Sequence, residues 1–440
     1  MKRNPSNRRH FLKTSALAMI GGSTMGRTSL AQTRNEKEEA LPTIRNYKTL
    51  GRTGFQVSDI GSGAPMNEPV LKALIDAGVN YMDTGEGYYN GKTDRVIGNV
   101  IKDYDRKKFF IATKLLNEDF FSSKEDVLNR VRQSLERLGT DYVDCCMIHS
   151  VENSNRLKDE HWHAAMDQLK SEGRVRSTGL SCHGSAWLLE PEDSLEKVMM
   201  TAIDDGRFDV FMMTHNYLTQ DVTSKILDAC KEKNIGTAII KSNPVMLYQL
   251  LDGAVTRLEN EGKDAEGYRN WRQKFDPGIR KGKEYFGKYG YDSEDDLIAA
   301  GITYIVSDPR AHTVCLDFKN LESVEAWLGR SGTRFENTQA KMLDDYRQHF
   351  GFLNCRMGCN ACESACPHHL PVNNIMRYHY YFHNKRQEKE AMKLYAGIDG
   401  ARATVCRDCE APCEDACPYG VHTRGLMALA HDHLSFDHLA

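Results

Sequence analysis

From residue 48 to about residue 330, short apolar runs alternate with amphipathic stretches. The runs include NYMDT, KFFIATK, YVDCCMIH, STGLSC, DVFMMTHN, GTAIIKS and HTVCLDF. Between them the apolar period changes. In SKEDVLNRVRQSLERLGT, Leu128, Val131, Leu135 and Leu138 recur at spacings of three and four, which predicts one face of a helix. Ser122 or Ser123 is placed to cap its start and Gly139 to end it. HWHAAMDQLKSEG repeats the design with Trp162, Ala165, Met166 and Leu169. Strand–helix alternation over this length predicts a parallel sheet. With VSDIGSG as the opening strand there are eight such units, which favours a (β/α)8 TIM barrel over an open, doubly wound sheet. The open sheet should carry a glycine-rich phosphate turn after its first strand, and GSGAPMN matches that poorly. One unit is oversized: residues 245–294, rich in charge and aromatic side chains, are expected to form a helical insertion over the barrel mouth.

Composition changes this picture at both ends of the chain. Residues 1–31 carry six basic and no acidic side chains. Arg8 and Arg9 stand together before a short, weakly apolar stretch, and Ser29-Leu30-Ala31 has the form of a cleavage site. This segment resembles a twin-arginine signal, which implies export of an already folded protein to the periplasm or another extracytoplasmic space. The h-region is too short and polar for a permanent span, so no transmembrane segment is expected in the mature chain. Without residues 1–31 the net charge is near −9, which argues against nucleic acid as a partner. The 13 cysteines are uneven: five lie before residue 320 and eight between Cys355 and Cys417. That shift marks a boundary near Phe350, with a small module expected over 350–440.

In a (β/α)8 barrel the chemistry sits at the C-terminal strand ends. Asp83, Lys114 and His149 fall at such ends, and Tyr88 lies in the loop after Asp83. A tyrosine hydroxyl titrates near 10, and a lysine beside it is expected to lower that value. A carboxylate would keep the lysine charged, and a histidine can donate to an oxygen where negative charge develops. The set suits protonation of a carbonyl oxygen while hydride reaches the carbon. YKTLGRTGFQVSDIGSG, DTGEGYYNGKTDRVIG, ATK and IHS, in this order, resemble the aldo-keto reductase family over residues 47–340. The resemblance implies a catalytic tetrad of Asp83, Tyr88, Lys114 and His149, with Tyr88 as general acid and a small carbonyl or alcohol as substrate. It also implies NADP(H) as a candidate cofactor, with Ser181, Asn216, Lys241 and Lys319 at the binding positions. Three positions depart from the family pattern. Cys182 stands where Asn is usual, Met212 where Gln is common, and Asp317 where Gly is frequent.

CRMGCNACESACP spaces Cys355, Cys359, Cys362 and Cys366, and CRDCEAPCEDACP spaces Cys406, Cys409, Cys413 and Cys417. Each run is one residue longer than a bacterial ferredoxin run, in which the fourth cysteine ligates the other cluster. The tail resembles a ferredoxin-like module, which implies one or two [4Fe–4S] clusters and a redox partner protein. Tetrahedral zinc and a disulfide framework are the other readings of these cysteines. VNNIMRYHYYFHNKRQEKEAMKLYAGI, between the runs, reads as helical, with Ile375, Tyr378 and Phe382 on one packing face. His368, His369 and His422 follow the runs and read as hydrogen-bonding neighbours of the site. Three functions stay open at this point. One is an exported oxidoreductase with electron-relaying clusters, another an NADPH-dependent reductase with structural clusters, and the third a non-catalytic barrel that binds or transfers electrons.

Overall fold

Eight parallel strands close into a barrel, and all eight lie at the apolar runs that predicted them. The computed structural model describes residues 41–116, 120–183, 193–217, 219–242, 255–256, 258–262, 294–356, 358–383 and 387–435. The expected signal segment lies outside these residues. So does most of the expected 245–294 insertion, of which 255–256 and 258–260 are helical. An antiparallel hairpin, β1 (Tyr47–Thr49) and β2 (Gln56–Ser58), precedes the barrel. The barrel strands are β3 (Ile60–Ser62), β4 (Tyr81–Asp83), β5 (Phe110–Leu116), β6 (Val143–His149), β7 (Val175–Cys182), β8 (Val210–Thr214), β9 (Gly236–Ile240) and β10 (Thr313–Leu316). They pair in sequence order, and β10 closes the ring against both β9 and β3.

The period-2 alternation sorts side chains into two layers. Tyr81, Phe110, Ala112, Cys145, Met147, Val210 and Met212 fill the barrel interior. Met82, Ile111, Cys146, Ile148 and Phe211 face the surrounding helices. Adjacent Cys145 and Cys146 thus point to opposite faces, as their spacing requires. The hairpin seals one end by placing Leu50 and Val57 in the interior layer. Its turn needs glycine: at Gly51 φ is +48°, and a Cβ would lie 2.3 Å from the Gly236 nitrogen.

The helices after successive strands are α1 (Glu68–Asp76), α2 (Lys92–Ile101), α3 (Lys124–Leu138), α4 (Glu160–Ser171), α5 (Leu195–Asp205) and α6 (Gln220–Glu232). After them come α7 (Glu294–Ser307), α8 (Leu321–Leu328) and α9 (Asn337–Phe350). α3 starts where the Ser123 hydroxyl accepts the Asp126 N–H and stops at left-handed Gly139. α4 is capped instead by Asp159, whose carboxylate accepts the Trp162 N–H.

The tail holds a separate apolar cluster built on α10 (Val372–His383), α11 (Glu388–Ala396), α12 (Pro412–Asp415) and α13 (Thr423–Leu434). It is a two-fold repeat at a constant offset of 51 residues, which carries Cys355, Cys362 and Cys366 onto Cys406, Cys413 and Cys417. The contacts repeat as well. Glu363 accepts the Asn373 N–H at 2.7 Å, and Glu414 accepts the Arg424 N–H at 2.9 Å. α10 and α13 are the matching helices of the two halves. Ile375 and Tyr378 pack inward, with Phe382 at the edge, as the helical pattern indicated.

The opposite face of α10 meets the barrel. Buried Arg377 pairs with Glu152, just beyond β6, at 3.5 Å. Lys241, after β9, lies 4.3 Å from the centre of the Tyr381 ring. Gln387 donates to the Tyr89 hydroxyl at 2.6 Å. The Leu195 N–H at the start of α5 donates to the Gly358 carbonyl at 3.2 Å. The tail therefore rests on the C-terminal rim, where barrel chemistry is sited. Among the described residues, no helix is long and apolar enough to cross a membrane.

Candidate active site

Asp83 ends β4, Lys114 lies near the end of β5, and His149 ends β6. The register sets Asp83 opposite Ala112, Lys114 opposite Met147 and Leu116 opposite His149. Tyr88 is brought back over these ends by a tight loop. Its N–H donates to the Gly85 carbonyl at 3.0 Å, and Tyr89, Asn90 and Gly91 follow with positive φ.

Lys114 is fully buried, so its charge needs a partner. Its ammonium donates to Asp83 Oδ1 at 2.5 Å and to the Thr84 carbonyl at 2.7 Å. The same ammonium lies 4.8 Å from the centre of the Tyr88 ring. The Tyr88 hydroxyl is 3.4 Å from His149 Nε2, and the two rings meet edge to face. All four residues singled out in the sequence converge.

One electrostatic expectation is corrected. Lys114 was expected to lower the Tyr88 phenol. Instead the phenol is held well above its ordinary 10, first by burial and then by Asp83, Tyr381, Asp317 and Cys315. Asp83 neutralises Lys114 at close range, so desolvation decides. His149 is pushed down to about 3, by burial first and then by Lys114 and Arg377. Its Nδ1 has no hydrogen-bond partner among the described residues. The site therefore presents a protonated phenol beside a neutral imidazole.

The positions tied to a nucleotide are less complete. Ser181 Oγ accepts the Ser150 N–H at 2.9 Å and so fixes the left-handed turn after His149. Asn216 donates to the Lys241 carbonyl at 2.7 Å and accepts the Thr219 N–H at 3.1 Å. It thereby holds Lys241 in a left-handed conformation with its ammonium on Tyr380 and Tyr381. Lys319 is exposed. Cys182 and Met212 are buried. The Asp317 carboxylate is close enough that a Cβ on Gly63 would lie 2.9 Å from it.

The eight tail cysteines fall into two neighbourhoods. The Cys355 thiol feels Cys359, Cys362 and Cys417, and the Cys406 thiol feels Cys366, Cys413 and Cys409. The Cys362 thiol feels both Cys417 and Cys413 of the second run. Burial raises the Cys355 thiol well above its usual value, Cys362 and Cys406 to about 12 and Cys413 to about 11. Several sulfurs accept hydrogen bonds. Leu370 N–H donates to Cys366 Sγ at 3.5 Å, Val421 N–H to Cys417 Sγ at 3.4 Å, and Asn373 Nδ2 to Cys355 Sγ at 3.4 Å. Cys366, Cys406, Cys409 and Cys413 line one recess with Leu370 and Met427.

Sequence reading missed Arg377, Glu152, Tyr381 and His183. His183, beside Cys182, is buried and depressed well below 6.5 by burial, then by Lys241 and Arg377. Arg377 and Tyr381 lie four apart on α10 and so share a helical face, next to the one marked by Ile375 and Tyr378. Nothing local indicated that this face meets the barrel.

A parallel (β/α)8 barrel with an Asp–Tyr–Lys–His group at its C-terminal rim defines an oxidoreductase scaffold. The aldo/keto reductase family pattern matches residues 63–348, and the chain belongs to that family. It is 36% identical over 147 residues to an aldo-keto reductase of Mycolicibacterium vanbaalenii, covering 32% of this chain and 50% of that protein. It is 28% identical over 224 residues to L-galactose dehydrogenase of Arabidopsis thaliana, covering 47% and 67%. It is 33% identical over 120 residues to a probable voltage-gated potassium channel subunit beta of rice, covering 23% and 37%. The chain thus spans between about a third and two thirds of these relatives' lengths. A solved aldo-keto reductase of Bacillus halodurans aligns at 17% identity and a TM-score of 0.48, over 68% of this chain and 95% of that one.

Proposed function

We propose that the chain interconverts a small carbonyl compound and its alcohol at Tyr88. The observation that carries this reading is the Tyr88 hydroxyl 3.4 Å from His149 Nε2, above the buried Asp83–Lys114 pair. Reduction adds hydride to the carbonyl carbon and a proton to its oxygen. These four residues serve the proton half. Tyr88 donates the proton, His149 donates a hydrogen bond to the same oxygen, and the Lys114 ammonium, 4.8 Å from the Tyr88 ring, offsets part of the charge left there while Asp83 holds it. Asp83 keeps Lys114 charged and fixed. A nicotinamide, when bound, would supply the hydride.

The tail is proposed to hold two [4Fe–4S] clusters that exchange electrons with a partner protein. Cys366 of the first run shares one recess with Cys406, Cys409 and Cys413 of the second, which supports this reading. So do the N–H···S hydrogen bonds. Arg8 and Arg9 support export of the chain after it has folded around those clusters.

The test is turnover of small aldehydes and ketones by anaerobically purified protein, with NADPH or a reduced viologen as donor. Turnover that disappears in Tyr88→Phe supports the catalytic reading. Equal turnover in both proteins would reject Tyr88 as the proton donor, and none with either donor returns the barrel to a binding or electron-transfer role.

A further inference from the structure

Three histidines converge away from the cysteine quartets and the Tyr88 site. His379 and His383 lie one turn apart on α10, and His433 comes from α13. His379 Nε2 is 2.8 Å from His433 Nδ1, and His383 Nε2 is 2.7 Å from that same atom. All three nitrogens lie within 4.8 Å of one another, the one such group of ligating side chains among the described residues. His379 and His433 are buried and His383 is partly exposed.

Protons alone satisfy this arrangement poorly. A neutral imidazole offers one N–H and one lone pair, on different nitrogens. His433 Nδ1 is a single atom with two ring nitrogens at hydrogen-bond distance. As acceptor or as donor it serves one of them well. A cation accepts lone pairs from all three. With metal–nitrogen bonds of about 2.0–2.1 Å, the nitrogens would open to roughly 3.4 Å. From 2.8 and 2.7 Å that is a change of about 0.6–0.7 Å, shared among three side-chain rotations.

The trio is also foreign to the two-fold repeat. At the offset that superimposes the cysteine runs, His379 falls on Ala430, His383 on Leu434 and His433 on Phe382. The scaffold shared by the two halves therefore does not explain the three imidazoles. The Phe382 ring stacks on His433 with centroids 5.9 Å apart, giving the group a packed apolar wall.

We propose that His379, His383 and His433 form a mononuclear site for a divalent cation of the zinc type, with water on the side of partly exposed His383. Three neutral nitrogen ligands suit zinc and its neighbours rather than magnesium or calcium. The bound ion would tie α10, which carries Arg377 and Tyr381 over the barrel mouth, to α13 of the other half-repeat. The assignment does not rest on the carbonyl reading or on the clusters.

The experiment uses full-length, iron-loaded protein, cleared of loosely held metal with a chelator and titrated with Zn²⁺ by calorimetry and elemental analysis. One zinc per chain is expected, with iron unchanged and a raised thermal midpoint. His383→Gln, at the partly exposed position, should fold as wild type and weaken zinc at least 10-fold. His433→Phe should abolish binding, and its iron content reports whether the tail has folded. Because His383→Gln carries the test if His433→Phe fails to fold, either result is informative. No zinc binding by the wild type, zinc taken up as iron is lost, or equal affinity in wild type and His383→Gln would each overturn the site.

Discussion

Arg377 and Glu152 form a buried ion pair at 3.5 Å across the seam between the tail helix α10 and the barrel rim. Arg377 also donates to Asn374 at 2.9 Å, which fixes its direction on the helix. Arg377→Leu would leave the Glu152 carboxylate buried without its cation. Breaking such a pair from one side costs about 3–5 kcal/mol, while replacing both partners is often nearly neutral. Denaturant unfolding should show that loss in Arg377→Leu, together with faster proteolytic release of the tail. The double change Arg377→Leu with Glu152→Leu should recover most of it. Equal destabilisation of single and double variants would mean that the pair does not hold the seam.

Tyr88→Phe removes one hydroxyl from a half-buried ring and should leave the unfolding midpoint within about 1 kcal/mol of wild type. Carbonyl turnover should fall by roughly 10² or more. Because the phenol lies well above 10 and His149 near 3, neither changes charge between about pH 5 and 9. The wild-type rate of carbonyl reduction should therefore be flat across that window. A sigmoidal step near pH 6.5 would show that His149 titrates as an exposed histidine does.

Acid should destabilise the barrel before its carboxylates protonate. Burial lowers His149 to about 3 and His215 and His312 to about 4. In the unfolded chain each takes a proton near 6.5. A depressed folded pKa means the unfolded state binds more protons, so this stability is whole above pH 6.5 and is lost as pH falls towards 4. Each histidine contributes a slope of about 1.4 kcal/mol per pH unit, and three give about 4. Urea midpoints from pH 7 to 4.5 measure it, and a flat profile would contradict the burial of these rings.

Cys417→Ser should impair the cluster of the first run, because Cys417 acts electrostatically on Cys355, Cys359 and Cys362. Cys366→Ser should impair the other. Anaerobic wild type is expected to hold about eight irons, and each variant about four. Electron paramagnetic resonance of the reduced variants would identify which centre survives. Damage confined to the cluster of the mutated run itself would reject the exchange of fourth cysteines.

Much of the barrel was legible because its signals are local. Alternation put Cys145 inside and Cys146 outside, and the three-four spacing of Leu128, Val131, Leu135 and Leu138 marked α3. Asp83, Lys114 and His149 were readable as polar residues at the ends of apolar runs, and strand register alone brings such ends together. The nucleotide positions were less legible. Ser181 and Asn216 have the right chemistry, and the hydrogen bonds that their side chains make to the backbone of Ser150 and Lys241 depend on the fold.

The sequence by itself determined the eight-unit barrel, the polar group at its rim and the two cysteine runs, because each is written in short-range period or spacing. Only the tertiary structure decided three other matters. It set the Tyr88 phenol above rather than below its usual value, since burial outweighs a lysine already neutralised by Asp83. It turned the Arg377–Tyr381 face of α10 onto the barrel. It also drew His379, His383 and His433 together from helices fifty residues apart. Desolvation and long-range docking depend on what surrounds a residue in space, which no local pattern of the chain records.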